Sequence, residues 1–415
     1  MFKAINAYEL GKNRKKDFRL FLLAFLLFVA YGLFFQFRKG WYTADSYVTS
    51  LLSMSYLKDG FFRRGLVGTL YDLVCRVIPS AFGYKGAVWF MWSMDLLYFA
   101  ALLVFVKWLF GKIEDDMVYK GAYFFSMICF AFLVPTVCYC SGALGRADIL
   151  QMVICLIQIW LLIEQKAEWM TVPLTAVNVL FHEGYVLMTF CTVLIVLFYR
   201  VLYSGRKRGK YVLLSGLNIV ICGVVALLSV KVSLEGNAEN FARVYDVAES
   251  LNSRGQVHYN LIYMMTAYMP ENAPLINDAD FIHTNLRELP VFLVCFIPAL
   301  IVWFRGAFHM FKQAGREKIG AHITALLLGP ALIGVEYAKY CDYGRYIFWL
   351  VFYFFTMFLS LAVMGDKGAR GALEKAYGFK NTVAVLVIIL MMPYQPIPTC
   401  YFTKISHWLA PRLGF

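Results

Sequence analysis

The chain has 415 residues, of which 61% are hydrophobic and 16% are charged, and its mean hydropathy is +0.63. Soluble domains are about half apolar and a quarter charged, so this composition excludes a water-soluble enzyme and predicts a polytopic membrane protein. The net charge of +13 lies in short loops between apolar runs. That distribution fits the positive-inside bias of membrane proteins and argues against a nucleic-acid partner.

Apolar segments that approach membrane-spanning length recur along the chain. We predict an all-α transmembrane bundle of about ten spans, a single domain over residues 1–415 with a cytoplasmic N-terminus. The first apolar run is expected to be an anchor rather than a cleavable signal. The spans are predicted at about residues 20–37, 87–110, 121–137, GRAD to 164, 184–200, 211–230, 289–303, 323–335, 347–363 and 382–392.

The connections between these spans alternate in character. Basic stretches at residues 12–19, 107–120, 200–210, 305–318 and 367–380 are assigned to the cytoplasm. The first external loop, residues 38–86, is predicted to carry an amphipathic helix at about 66–78 that lies on the outer surface. A second external loop is predicted at residues 231–288, with short helices, and a short apolar run at about 170–180 precedes the sequence FHEG.

The stretch Trp41–Gly68 is a polar island beside the first span. Asp45 stands there in the sequence YTADSY, where a carboxylate is equally suited to act as a general base or to cap a helix. Arg63 and Arg64 follow an aromatic pair. Guanidinium groups bind phosphate through paired hydrogen bonds, although arginines also reach out to lipid headgroups.

Three later segments place acids beside cations at the same predicted face. Charged groups at the edge of a membrane bundle are costly and often mark a functional path, but they also pair with one another to join helix ends. Asp148 has a second explanation in the dipole of the helix that it opens, and a His-Glu pair is often structural. The candidates are Arg146 and Asp148 in GRAD, His182 and Glu183 in HEG, Asp342 and Arg345 in DYGR, together with Asp59, Asp95, Glu336 and Lys339.

The sequence offers no pattern for a metal site. Cys138 and Cys140 form an isolated CYC, and His182-Glu183 lacks the second histidine of a zinc-binding HExxH helix. The cysteines inside apolar runs, Cys129, Cys155, Cys191, Cys222 and Cys295, are expected to be small buried hydrophobes. We therefore expect no cofactor and no metal.

Acids and arginines around an external cavity suit one class of reaction. A carboxylate takes the proton of an acceptor hydroxyl while arginines stabilise a departing phosphate. Polyprenyl-linked sugars fit this chemistry because they carry an anionic leaving group within the membrane. The absence of a P-loop, a GxGxxG or a DxD set from the cytoplasmic loops argues against a nucleotide-sugar donor.

The pattern resembles the GT-C superfamily of membrane glycosyltransferases, through Asp45 in WYTADSY and the surface segment after Arg64. The combination of FFRRGLVG, GRAD, HEG and DYGR is also similar to bacterial membrane proteins of surface-polysaccharide loci. The resemblance implies a catalytic acid in the first external loop, here Asp45, with amphipathic helices beside it. The chain departs from the pattern because Asp45 has no adjacent acid and no large soluble domain follows the last span, which favours a metal-independent enzyme.

These observations predict a glycosyltransferase of the bacterial cytoplasmic membrane whose active site faces outward. Its expected partners are a polyprenyl-linked sugar lipid, a glycan or lipid acceptor, and membrane lipids. The predicted catalytic residues are Asp45, Asp148, His182 and Glu183, and the predicted substrate-binding residues are Arg63, Arg64, Arg146, Arg345 and Asp342. A polysaccharide polymerase, a flippase of lipid-linked glycans and a non-catalytic assembly subunit are the alternatives.

Overall fold

A computed structural model of the chain describes residues 10–38, 46–139, 147–231, 238–253, 255–268, 303–313, 318–339 and 343–377. Over these residues the structure consists of helices and their connections, which confirms the predicted all-α class. The predicted span at 382–392, and all but the last residue of the span at 289–303, lie outside the described residues.

The helices of the first half of the chain include three of the longest. Their bounds are α1 (Arg14–Arg38), α2 (Ser46–Leu52), α3 (Tyr56–Asp59), α4 (Gly65–Val77), α5 (Tyr84–Lys112), α6 (Asp116–Tyr139), α7 (Ala147–Glu164), α8 (Thr171–Phe181) and α9 (Tyr185–Met188).

The second half continues with helices of mixed length. Their bounds are α10 (Phe190–Tyr203), α11 (Arg208–Lys231), α12 (Ala238–Ser250), α13 (Tyr259–Thr266), α14 (residues 303–313), α15 (Ile319–Lys339), α16 (Tyr343–Val363) and α17 (Lys367–Ala376).

Four helical segments of the described chain are long and apolar enough to cross a membrane, namely Arg14–Phe34, Tyr84–Lys112, Asp116–Pro135 and Gly205–Lys231. A fifth is added if Phe348–Val363 and Lys367–Ala376, which meet at 116°, form one bent span. The predicted total of about ten spans and the orientation of the bundle remain predictions.

Helix α6 forms the centre of the bundle, and α11 lies at its edge. The apolar window of Asp116–Pro135 is 78% buried, whereas that of Gly205–Lys231 is 22% buried. Aromatic rings fill the space around α6: Phe21 of α1 contacts Phe110, Tyr123 and Phe130 edge to face, at centroid distances of 5.5, 5.5 and 5.2 Å. Such pairs add about 0.5–1.5 kcal/mol each beyond the area that they bury.

The predicted buried cysteines are found in this interior. Cys129, Cys155, Cys191 and Cys222 are buried free thiols, which confirms their interpretation as small hydrophobes. Cys295, Cys138 and Cys140 lie outside the residues or side chains that the structure describes.

Several basic stretches meet at one end of the bundle, which we call the basic end. Arg14 donates to the carbonyl oxygen of Ile113 at 2.6 Å, and Lys112 pairs with Glu164 at 2.7 Å. Tyr203, the last residue of α10, donates to Asp366 Oδ2 at 2.6 Å. The starts of α1, α11 and α17 and the ends of α5, α7 and α10 therefore lie together.

Three predicted elements differ from the structure. The fifth predicted span is interrupted at Thr189, whose backbone (φ −114°, ψ −19°) separates α9 from α10. The basic stretches at 305–318 and 367–380 are not simple loops, since residues 303–313 and Lys367–Ala376 are helical. Helix α17 forms there because Asp366 caps it, accepting from Ala369 N at 2.8 Å.

The two segments predicted as external loops pack against each other. The predicted amphipathic helix is α4, which buries Val67, Gly68 and Tyr71 on one face. Helices α12 and α13 of the second loop cover Phe62, and His258 N donates to Ser50 Oγ at 3.1 Å. The described part of the polar island, residues 46–68, therefore packs with these helices at the end of the bundle.

Candidate functional site

A tight turn between α3 and α4 presents the two arginines. Ser55 caps α3 by accepting from Leu57 N at 3.2 Å, and Gly60 ends it with φ +77°. The ring of Phe61 stacks on Tyr56 at 5.4 Å, and the fully buried Phe62 contacts the same tyrosine edge to face at 5.2 Å. The aromatic pair therefore fixes the turn that delivers Arg63 and Arg64.

Two glycines of the RRGLVG sequence are required by close packing. A Cβ at Gly65 would collide with the rings of Tyr56 and Phe62. A Cβ at Gly68 would collide with the backbone carbonyls of Met54 and Leu51. The absence of side chains here lets α4 lie directly against the segment that follows α2.

Arg63 and Arg64 converge on one carboxylate, that of Glu183. Arg63 binds Glu183 Oε1 through Nε, at 2.7 Å, and through Nη2. Arg64 Nε lies 2.9 Å from Glu183 Oε2, and Arg64 Nη1 donates to the hydroxyl of Tyr47 at 2.7 Å. Two cations thus share one carboxylate.

The two arginines differ in access. The side chain of Arg64 is 10% exposed and that of Arg63 is 22% exposed. Within the described part of the chain, the hydrogen bonds of Arg63 go to Glu183 through Nε and Nη2, so Nη1 keeps its donors for another acceptor. The more exposed guanidinium is therefore the one able to bind an anion.

Arg64 holds a strained backbone. Its φ of +62° and ψ of +16° lie in the left-handed region, which residues other than glycine rarely adopt. Such a conformation costs about 1–3 kcal/mol and persists only where the surroundings enforce it. The ion pair with Glu183 and the bond to Tyr47 supply that constraint.

Burial alone raises the pKa of the Glu183 carboxyl, but the charge of Arg64, the neighbouring His182 ring and the hydrogen bonds from both arginines outweigh it. The pKa is therefore held well below its usual range. A carboxylate in that state is a weak base. The predicted catalytic role of Glu183 stays a prediction, and the geometry favours a positioning role in which it aligns the two guanidinium groups.

Glu183 owes its position to the break between α8 and α9. His182 leaves the helix with an extended backbone, and its Nδ1 accepts from Gly184 N at 2.8 Å. The amide of Gln151, on α7, donates to the carbonyl oxygens of Asn178 and His182 at 2.8 and 2.7 Å. Gln151 thus binds two carbonyl groups at the end of α8 and fixes the HEG turn.

A buried polar network extends from this turn into the bundle. Gln158 Nε2 donates to Thr171 O and Thr175 Oγ1, each at 2.9 Å. Thr175 in turn donates to Asn218 Oδ1 of α11 at 2.7 Å. Buried polar groups that satisfy one another define a single packing arrangement, so the network sets the register of α8 between α7 and α11.

Four predicted site residues are brought together, namely Arg63, Arg64, His182 and Glu183. Asp148 is buried in the first turn of α7, one turn before Gln151. Asp45, Arg146 and Asp342 lie outside the described residues. Arg345 belongs to α16, but its side chain is also outside what the structure describes, as are those of Glu336 and Lys339.

The remaining acids occupy other surroundings. Asp59 pairs with Arg243 of α12, which joins the two segments predicted as external loops, and Asp95 is buried within α5. Sequence reasoning missed Tyr47 and Gln151. Tyr47 had a signal, since it lies two residues after Asp45, whereas Gln151 had none beyond a polar side chain within an apolar run.

Among the described residues, no group of three or more His, Cys, Asp or Glu side chains is placed to hold a metal ion. Comparisons with known proteins add no assignment. No protein-family model, curated protein sequence or solved structure matches this chain.

Proposed function

We propose that the protein is a membrane glycosyltransferase of the GT-C type, which transfers a sugar from a polyprenyl-(di)phosphate carrier to a glycan or lipid acceptor. The proposal places the protein in a bacterial cytoplasmic membrane, with the Glu183 cluster facing outward and the basic end facing the cytoplasm. Cell-surface polysaccharide assembly is the corresponding process. A polymerase that joins lipid-linked repeat units would use the same chemistry.

One observation carries the proposal: the paired guanidinium groups of Arg63 and Arg64, aligned on Glu183, with Arg63 Nη1 available. Charge-assisted hydrogen bonds from arginine are well suited to phosphate oxygens. The available donors of Arg63 Nη1 favour an anion over a neutral sugar.

The surroundings of the cluster suit a lipid-borne phosphate. Helix α4, which begins directly after Arg64, carries the exposed apolar side chains Leu73 and Val77, and Ile78 and Phe82 follow it. Apolar side chains on a surface helix favour the membrane interface. An anion bound at Arg63 would then lie at the level of lipid headgroups.

The proposed reaction is a substitution at the anomeric carbon of the donor sugar. The acceptor oxygen forms a bond to that carbon, and the bond from the carbon to the phosphate oxygen breaks. The acceptor proton passes to a carboxylate, for which Asp45 is proposed, and the polyprenyl phosphate leaves with the electron pair. Asp148, His182, Arg146, Asp342 and Arg345 are proposed to complete the site around the two substrates.

The first test measures anion binding. The purified protein in nanodiscs is titrated with polyprenyl phosphate, and bound lipid is counted by native mass spectrometry. Arg63→Gln is expected to weaken binding about tenfold, which corresponds to about 1.4 kcal/mol for a lost charge-assisted contact. Arg76→Gln removes an arginine from helix α4, which follows Arg63 and Arg64, and serves as the matched control because Arg76 pairs with Asp72 instead. Equal binding by the wild type and Arg63→Gln would remove the cluster as the phosphate site.

The second test addresses the chemistry. Cells that lack the gene are expected to accumulate a lipid-linked sugar, detected by mass spectrometry of extracted lipids. The wild-type gene and the Arg76→Gln variant should clear it, whereas Asp45→Asn should not, with the protein folded and present in the membrane. Full rescue by Asp45→Asn would exclude Asp45 as the base.

A second candidate function is that of a non-catalytic assembly subunit. It is favoured by the internal pairing of Arg63 and Arg64 with Glu183 and of Asp59 with Arg243. In that case the cluster only joins the external layer to the bundle. Arg63→Gln would then leave polyprenyl-phosphate binding unchanged, and loss of the gene would accumulate no lipid-linked sugar.

A further inference from the structure

An apolar groove opens at the edge of the bundle, between α10, α11 and α15, far from the Glu183 cluster. Its volume is about 420 Å³. Leu194 and Phe198 of α10, Val212, Gly216 and Ile219 of α11, and Leu328 of α15 form its walls. Gly216 and Ile219 are exposed, so the groove reaches the outer surface of the bundle.

The lining of the groove suits an apolar ligand. Its two hydroxyl groups are satisfied within their own helices: Ser215 donates to Tyr211 O at 2.7 Å and Thr324 donates to Gly320 O at 2.9 Å. A Cβ built at Gly216 meets no atom within 4 Å, so space is open beside this wall of the groove. An apolar wall with satisfied hydroxyls fits a hydrocarbon chain.

The groove leads to the basic end. Val201 and Val212 line it, and between them the chain turns through Gly205–Lys207 into the start of α11. Arg208 precedes Val212 by one helical turn and therefore shares its face. The exposed side chains of Arg206, Lys207 and Arg208 thus gather beside the mouth of the groove.

None of these three cations has a carboxylate partner among the described residues. Lys207 bonds to the neutral side chain of Gln165, at 3.2 Å. Within the described part of the chain, neither Arg206 nor Arg208 pairs with a carboxylate. Clusters of basic side chains between membrane helices bind the headgroups of anionic lipids.

We infer that this groove and its basic mouth form a binding site for an anionic phospholipid. One acyl chain lies between α10, α11 and α15, and the phosphate is held by Arg206 and Arg208. Because the groove and the cationic mouth are adjacent, a two-part ligand fits them better than a free anion or an apolar molecule does. The inference concerns the end of the bundle opposite the Glu183 cluster and does not depend on the proposed glycosyltransferase activity.

The charge requirement is tested by native mass spectrometry of the detergent-purified full chain titrated with phosphatidylglycerol or phosphatidylcholine of equal chain length. Phosphatidylglycerol is expected to bind at least about tenfold more tightly, equivalent to about 1.4 kcal/mol. The double variant Arg206→Gln/Arg208→Gln should abolish that preference. Lys85→Gln/Lys231→Gln, which removes two exposed cations at the far ends of α5 and α11, should retain it. Equal binding of the two lipids, or an unchanged preference in the arginine variant, would overturn the inference.

The groove itself is tested by filling it. Gly216→Leu adds a large side chain to the wall of the groove and should reduce phosphatidylglycerol binding about tenfold. Gly223→Leu is the matched control, because Gly223 lies on the same helix, is exposed, has no atom within 4 Å of its Cβ position and does not line the groove. Equal binding of phosphatidylglycerol by the two glycine variants would show that the acyl chain lies elsewhere and would contradict the proposed site. Thermal unfolding of both variants without lipid establishes that each is folded.

Discussion

Two largely buried carboxylates join helices at opposite ends of the bundle in different ways. Glu183 lies in the turn between α8 and α9, and Asp366 precedes α17 and contacts the last residue of α10. Three groups of the protein contact the Asp366 carboxylate. His322 Nε2 lies 2.9 Å from Oδ1, Ala369 N donates to the same oxygen, and Tyr203 donates to Oδ2. Glu183 is shared by two arginines, one of which is partly exposed. The contacts of the first arrangement all lie within the protein, whereas in the second Arg63 Nη1 keeps its donors for another acceptor.

The contacts of His322 show how closed the Asp366 site is. The Nδ1 atom of His322 lies 2.7 Å from the carbonyl oxygen of Lys318, while Nε2 faces the carboxylate. These contacts form a buried structural unit that joins α15 to the start of α17.

The largest expected effect is on stability at Asp366. Asp366→Ala leaves His322 and Tyr203 without their acceptor and removes the cap of α17, so the free energy of unfolding should fall by about 3–5 kcal/mol. Asp366→Asn keeps a capping oxygen and should cost less. Chemical unfolding in detergent measures both, with the exposed Glu374→Gln of the same helix as control. A loss below about 1 kcal/mol for Asp366→Ala would contradict the structural role.

The second largest loss of stability is expected when the carboxylate between Arg63 and Arg64 is removed. Glu183→Gln leaves two neighbouring guanidinium groups without a counter-charge, and the expected loss is about 2 kcal/mol, smaller because Arg63 can turn towards solvent. The exposed Glu249→Gln is the control. If Glu183→Gln lowered the free energy of unfolding as much as Asp366→Ala does, Glu183 and Asp366 would contribute equally to stability, which would contradict the difference between the two sites.

Within the described residues, sequence reasoning predicted the positions of the long apolar helices α1, α5, α6 and α11, because a span of about 20 apolar residues is a strong and local signal. The same is true of α4, whose apolar positions match a helical period. The partner of Arg63 was not predictable, because 120 residues separate it from Glu183 and only folding brings them together. The helix α17 was missed because its charged residues resemble a loop, and its stability comes from the distant His322 and Tyr203.

Acid should affect both ends in the same direction. Burial raises the pKa of Asp366, but hydrogen bonds from His322, Tyr203 and Ala369 outweigh it and leave that pKa lowered, as the pKa of Glu183 is. A lowered pKa contributes stability above the ordinary values of 4.5 for Glu183 and 3.8 for Asp366, and that contribution is lost as pH falls through the folded values. Unfolding measured from pH 6 down to about pH 3 should therefore show a decline below about pH 4.5 that is shallower in Glu183→Gln. An identical decline in the variant would show that Glu183 does not contribute.

The smallest expected change in stability is at Arg63, and it separates a ligand-binding group from a structural one most directly. Arg63→Gln leaves Glu183 bonded to Arg64, which also contacts Tyr47, so the free energy of unfolding should change by less than about 1 kcal/mol. Arg64→Gln removes the more buried guanidinium and the contact with Tyr47, and it should cost more. A side chain that the fold scarcely needs, yet whose loss weakens polyprenyl-phosphate binding, has a role in recognition. If Arg63→Gln instead destabilises the protein as much as Arg64→Gln does, then both arginines stabilise the fold, and the Glu183 cluster is structural.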